Sequence, residues 1–314
     1  MTQDSRAITY EVRSVRFAPS DPPDGNYYTA IARCVVSDHL GRVEAFGYAS
    51  DVEPNQEVVD RAISEGVERA IVVLLHQSDT AANEKTTTGS AVHKTPEQAL
   101  AGARRELFAS FEFVTRFHKR DMGFRLPEVP FAFTPRSAEV TGWIDPAQKL
   151  VFAAMLDPDA TPRLSMTVRS ATGVGWSRAL ELSVLEILQP RPWIRHTVAR
   201  FGDGQGRTEV RSAEERAVYW STIDSEIASG VYRELVTAAA MSTPEDRETS
   251  TEAVIGDDSL TKVVTRLALD GDHGPLHFAR VVDPVIDGRY VTSELEREKF
   301  WRDGATTFHP HPLI

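Results

Sequence analysis

The sequence predicts an α+β fold in which three related strand–hairpin–helix units form mixed or antiparallel sheets with helices packed against them. Three observations predict it. Alternating or β-rich runs occur in sets, separated by turns rich in Asp, Asn, Gly and Pro. Each set is followed by a segment with apolar residues at helical spacing. The order of extended chain, small-residue turn and glutamate-bearing helix then recurs, with no fixed short period of the solenoid kind.

Ile8 to Phe17 alternates polar and apolar residues and reads as a strand. Asp21-Pro22-Pro23-Asp24-Gly25-Asn26 is a turn. Tyr27 to Ser37 and Arg42 to Tyr48 are the next two strands, joined by Asp38-His39-Leu40-Gly41. A helix follows Glu53-Pro54, with Val58, Val59, Ala62, Ile63, Val67, Ala70, Ile71 and Leu74 on one broad face. Ser78 to Thr88 is polar and reads as a loop. Thr95-Pro96-Glu97-Gln98 starts a second helix, with a hydroxyl cap, proline at the first helical position and an acid in the first turn. Leu126 to Pro135 is a connector, and Ala138 to Ile144, Leu150 to Leu156 and Leu164 to Ser170 are three further strands. A third helix runs from about Ser177 to Gln189 and is ended by Pro190 and Pro192. Beyond residue 200 the patterning predicts a turn over Gly202 to Gly206 and helix over Glu214 to Ala238, broken near Gly230. A mobile acidic stretch over Ser242 to Asp258, a helix over Leu260 to Leu269, a strand over His277 to Val282 and an irregular tail complete it. The domain reading is a three-unit core at 1–200, with 201–314 completing the same domain.

Composition narrows the function classes. A chain of 314 residues has ample length for a hydrophobic core. No apolar run approaches the ~18 residues of a membrane span, and no signal peptide opens the chain. The single cysteine, Cys34, has no partner for an internal disulfide, and it sits in the apolar run Ile31 to Val36 as strand filler. These features predict a cytoplasmic protein with no membrane partner. The net charge of −11 and the lack of a sustained Lys/Arg stripe argue against nucleic acid.

Several constellations are able to carry chemistry. Glu65 and Glu68 lie three apart on the first helix, so both carboxylates project to one side, beside Arg69. Such a pair suits a hard cation bridging to phosphates. The same spacing also describes a solvated helix face. Glu186 and Gln189 stand three apart, just before Arg191, in the apolar run Leu180 to Leu188. A glutamate there needs a partner or an exit into water. Thr88-Gly89-Ser90 and Ser170-Ala171-Thr172-Gly173 set hydroxyls beside glycine, as phosphate-binding turns do, and as ordinary turns do too. No glycine–lysine–serine phosphate loop and no GxGxxG occurs. His309-Pro310-His311-Pro312 lacks the cysteine or His-Glu-x-x-His frame of a zinc site and reads as a proline-stiffened tail.

Taken in order, the three units resemble the YcaO family. Gly47-Tyr48-Ala49 with Glu65-Gly66-Val67-Glu68-Arg69 is similar to the family's first ATP helix. Thr88-Gly89-Ser90-Ala91 through Arg105-Glu106-Leu107 is similar to the second helix and its preceding turn. Glu186-Ile187-Leu188-Gln189-Pro190-Arg191 resembles the Glu-x-x-Gln helix. A weaker likeness continues in Phe278 to Pro284 and in the proline-rich end. The resemblance implies ATP and Mg²⁺ as cofactors and a peptide as substrate. Its backbone amide is activated during maturation of a ribosomally made peptide, by azoline, thioamide or amidine formation. It further implies Glu65, Glu68, Glu106 and Glu186 toward metal, and Arg69, Ser90, Gln189 and Arg191 toward nucleotide.

The chain also departs from the family's pattern. Tyr48 stands at the usual lysine of the first turn, and Ala109 and Ser110 stand where the second helix continues with glutamate and arginine. The segment between the first and second units is shorter than usual. These departures imply an alternative: a non-catalytic partner or substrate-presenting subunit without its own ATPase, in a homo- or hetero-oligomer. A third reading, an unrelated α+β ligand- or protein-binding protein, remains open, because fold does not fix function.

Overall fold

The computed structural model describes residues 8–20, 26–39, 41–78, 88–127, 131–201, 210, 212–238, 262–282 and 309–312. Within them are ten strands and six helices, an α+β fold. The expectations for 202–206 and 242–258 lie outside the described residues. The chain divides into two compact units, and both take residues from either side of position 200.

The first unit, residues 1–20, 27–108 and 255–288, holds a six-stranded sheet of order β3-β2-β1-β9-β10-β4. β1 (Ile8–Pro19), β2 (Tyr28–Ser37) and β3 (Arg42–Asp51) form an antiparallel meander. β9 (Lys262–Gly271) and β10 (Leu276–Val282) form a hairpin. β9 pairs in parallel with the start of β1, Ile8 to Tyr10 against Leu269 to Gly271. β4 (Ser90–His93) closes the far edge against β10.

Helix α1 (Gln56–Ser78) starts at Asn55, whose side chain accepts the Val58 N–H at 3.0 Å. Its inner stripe, Val58, Ala62, Val67, Ala70 and Ile71, is fully buried against Ala30, Ala32, Cys34 and Val36 of β2. The helix comes unusually close to β3. A Cβ on Gly47 would lie 1.9 Å from the Ala62 carbonyl oxygen and 2.2 Å from the Gly66 nitrogen. Only glycine permits this approach. Cys34 lies in the same layer, its thiol donating to the Ile63 carbonyl at 3.7 Å. Burial there pushes the thiol up to about 12, which suits a filler and not a nucleophile.

Helix α2 (Pro96–Lys119) begins as its sequence predicts, with Thr95 Oγ1 accepting the Gln98 N–H at 3.2 Å. Its portion through Phe108 packs Ala99, Ala103 and Leu107 on Ala91 of β4 and on Ala279 and Val281 of β10. Alternation along those strands turns Val92 and Phe278 the other way, into the core under α1.

The second unit, residues 21–26, 109–254 and 289–314, holds an antiparallel sheet β5-β6-β7-β8. Its strands are Phe124–Arg125, Glu139–Asp145, Leu150–Leu156 and Leu164–Ser170. All seven residues of β7 are buried, as a central strand covered on both faces must be. Helix α3 (Trp176–Leu188) lies over it, and Gly142 of β6 makes room for Leu180. Helices α4 (Arg191–Phe201), α5 (Ala213–Thr222) and α6 (Ser225–Ala238) complete the unit. Residues 309–312 are docked by their own carbonyls. Arg216 donates to His311 O at 2.7 Å, Trp220 Nε1 to Pro310 O at 3.1 Å and Met166 N–H to Pro312 O at 3.2 Å.

Three expectations are corrected. Of the helix expected over Leu260 to Leu269, the described part from Lys262 onward is strand β9, because β10 and β1 supply ladders on its two sides. Pro192 does not end helical structure but sits in the first turn of α4, where its missing N–H costs nothing. The break within Glu214 to Ala238 lies at Ile223 and Asp224, not at Gly230. Ile223 is extended (ψ 149°), and Asp224 Oδ1 accepts the Glu226 N–H at 2.7 Å to start α6.

Candidate functional site

The first unit gathers five of the eight candidate residues. Glu65, Glu68 and Arg69 come from α1, Glu106 from α2 and Ser90 from the start of β4. Gly89, just before Ser90, has φ +79°, and a Cβ there would meet the Val281 carbonyl oxygen at 2.7 Å. That conformation fixes where Ser90 enters the sheet.

Glu65 accepts the Tyr48 backbone N–H at 2.7 Å and is ion-paired with Arg69. Arg69 also donates to the Phe46 carbonyl at 3.2 Å, with its guanidinium 5.5 Å from the centre of the Tyr48 ring. Phe46, Gly47 and Tyr48 lie in the interior of β3 and are tied to α1 through their backbone. Tyr48 contributes an aromatic face to this contact.

Glu68 is the perturbed group. Removal from water, then the neighbouring charges of Glu106 and Glu65, hold its carboxyl well above the usual carboxylate range, against a smaller pull from Arg69. Carboxyls from two helices thus act on Glu68, which resists ionisation. Ser90 adds a second anomaly. It is 1% exposed, and its Oγ has no hydrogen-bond partner among the described residues. An unpaired buried hydroxyl costs about 1–3 kcal/mol, so Ser90 carries an unmet polar demand.

These features fit a magnesium nucleotide in charge and in donor type. Mg²⁺ uses one or two carboxylates and completes its shell with phosphates and water. Among the described residues, no group of three or more His, Cys, Asp or Glu is arranged to hold a metal ion.

The other three candidates lie in the second unit. Glu186 has the partner its apolar helix called for, Arg169 at 3.4 Å, and is 43% exposed. Gln189 is the C-cap of α3, its N–H donating to Leu185 O at 3.0 Å. Arg191 is 2% exposed and bonds Asp157 Oδ2 through both terminal nitrogens at 3.3 Å. Sequence reasoning missed Asp157, which lies 34 positions away on no shared motif. Ala109, where the resemblance implies a carboxylate, is 6% exposed.

A solved structure shares this architecture. The chain superposes on YcaO from Methanopyrus kandleri, bound with AMPPCP and Mg²⁺, with a TM-score of 0.57. The fold is YcaO-like. The match covers 96% of this chain and 91% of that one, at 13% sequence identity. No protein-family model matches the sequence, and no curated protein matches it. Among the described residues, no helix of this YcaO-like chain is long and apolar enough to cross a membrane.

Proposed function

We propose that the chain binds a nucleoside triphosphate with Mg²⁺ and uses it to activate a backbone amide of a peptide. The observation that carries this reading is the Glu68 carboxyl, held well above the usual carboxylate range by burial and then by the charges of Glu106 and Glu65. A divalent cation removes that repulsion, so the cluster gains most when a metal–phosphate complex arrives. Glu68 and Glu106 would hold the ion, with Glu65 fixed beside them by Tyr48 and Arg69. Ser90 would give its unpaired hydroxyl to a phosphate oxygen. The bound nucleotide supplies an electrophilic phosphoryl group, for which positioned charge matters more than a covalent catalyst. Roles for Glu186, Gln189 and Arg191 toward metal and nucleotide rest on the resemblance alone.

A second reading is favoured by one observation. Arg69 is already engaged by Glu65 and the Tyr48 ring, and Ala109 and Ser110 add no charge. That arrangement suits a partner or substrate-presenting subunit without its own ATPase, bound to a second protein chain.

A thermal melt with and without Mg²⁺-ATP separates the two. A ligand at ~100 times its Kd adds roughly 2.7 kcal/mol to the folded state. The first reading expects a magnesium-dependent shift that disappears in Glu68→Gln and in Ser90→Val. No shift at millimolar nucleotide rejects it in favour of the subunit reading.

A further inference from the structure

A second pair of side chains lies in the same unit. His93, on edge strand β4, is directly opposite His277 of β10 in the antiparallel ladder. Both imidazoles belong to one face of the sheet. Ala91, two residues before His93, and Ala279, two after His277, pack together against α2. Directly opposed residues of antiparallel strands have Cβ atoms about 4.5–5.5 Å apart, so two imidazoles there can reach one ion between them.

Three further features favour that use. His93 is exposed and His277 half-buried, so both are reachable from solvent. Neither makes a hydrogen bond or ion pair among the described residues. The helix beside them is notched. Gly102 lies against the His93 ring, and a Cβ there would come within 3.0 Å of Nε2 and 3.1 Å of Cδ2. A side chain at 102 would crowd the ring out of this position.

We infer that His93 and His277 form a two-histidine site for a borderline divalent metal of the zinc class, open to water at its remaining positions. Imidazole is a preferred ligand of zinc, copper and nickel, and a site with two protein ligands leaves places for water or a further ligand. Arg105 is the nearby cation, and its Nε donates to the Ala101 carbonyl at 3.2 Å. Partial covering of the ring, then the Arg105 charge, push His93 below its ordinary value. Because the two histidines come from different strands, a bound ion clamps the edge strand β4 to β10.

The test is calorimetric titration of the full chain, stripped with chelator, with zinc chloride. One equivalent should bind the wild type, at least tenfold more tightly than it binds either His93→Gln or His277→Gln. Zinc should also raise the melting temperature of the wild type and of His309→Gln, but not of the two site variants. Equal zinc affinity in wild type and both site variants overturns the assignment, as does a wild type that takes up no zinc at millimolar concentration. The nucleotide reading is untouched by either result, since its readout is the magnesium-dependent shift.

Discussion

Replacing Gly47 by alanine probes the contact on which the first unit is built. The new methyl would sit 1.9 Å from the Ala62 carbonyl oxygen, 2.2 Å from the Gly66 nitrogen and 2.8 Å from its Cα. All three are backbone atoms, so no rotamer change relieves the clash. Restoring an ordinary 3.4 Å contact moves α1 off β3 by about 1.5 Å. Val58, Val67 and Ile71 are each 0% exposed under that helix. At ~1.5–3 kcal/mol apiece they contribute ~4.5–9 kcal/mol. A gap of 1 Å already forfeits up to about half of contact energy, so the expected loss is about 3 kcal/mol. For a unit of this size, that lowers the melting temperature by ~6–12 °C. Differential scanning calorimetry of purified wild type and variant measures it. Gly230→Ala is the comparator. Nothing lies within 4 Å of its Cβ position inside α6, so alanine should stabilise by ~0.5–1 kcal/mol. If Gly47→Ala melts within about 1 °C of wild type, the packing of β3 on α1 is not as described. The same substitution should weaken Mg²⁺-nucleotide binding, because Tyr48 N–H, which holds Glu65, is the next residue along.

Three more outcomes are expected. The raised Glu68 carboxyl binds its proton more tightly in the folded state than in the unfolded state. Stability is therefore lost as pH rises from the ordinary glutamate value, about 4.3, toward the raised one. Glu68→Gln should flatten that fall in magnesium-free urea titrations, and a variant curve parallel to wild type would contradict it. Arg191→Met leaves Asp157 buried at 3% exposure without its cation, so ~3–5 kcal/mol of stability should go; loss of less than about 1 kcal/mol in urea unfolding would make the ion pair dispensable. Deleting residues 309–314 removes the acceptors of Arg216 and Trp220, which are 2% and 0% exposed. It should cost several kcal/mol, at about 1–3 kcal/mol per orphaned donor, read as a lower chemical-denaturation midpoint.

The elements most legible in the sequence were those fixed by local chemistry. Thr95-Pro96 announces the start of α2 because a hydroxyl cap and a proline at the first position act within one turn. The meander of β1 to β3 and the ladder of β6 to β8 are marked by turns between alternating runs. β9 was not legible. Val263, Val264, Leu267 and Leu269 fit a helical face as well as a strand, and what decides between them is β1, more than 250 positions earlier. The same division runs through the candidate site. Glu65 and Glu68 show themselves by spacing on one helix, and the likeness to a family placed Glu106 with them. The mutual effect of the three on Glu68 depends on how α1 and α2 pack, which spacing does not encode. The facing of His93 and His277 depends on strand pairing between residues 184 apart.

That long-range pairing has a consequence for how the chain is made. The parallel contact of β1 with β9 joins residues 8–10 to 269–271. At ~5–20 residues per second, the ribosome delivers β9 tens of seconds after β1 has emerged. Throughout that interval the side of β1 that will receive β9 is an open row of amides and carbonyls, a template for pairing with any other chain. A nascent molecule of this protein is thus at its stickiest while more than half of it is finished. Synonymous codon changes that slow translation between 110 and 260 should raise the share that aggregates, with the mature sequence unchanged.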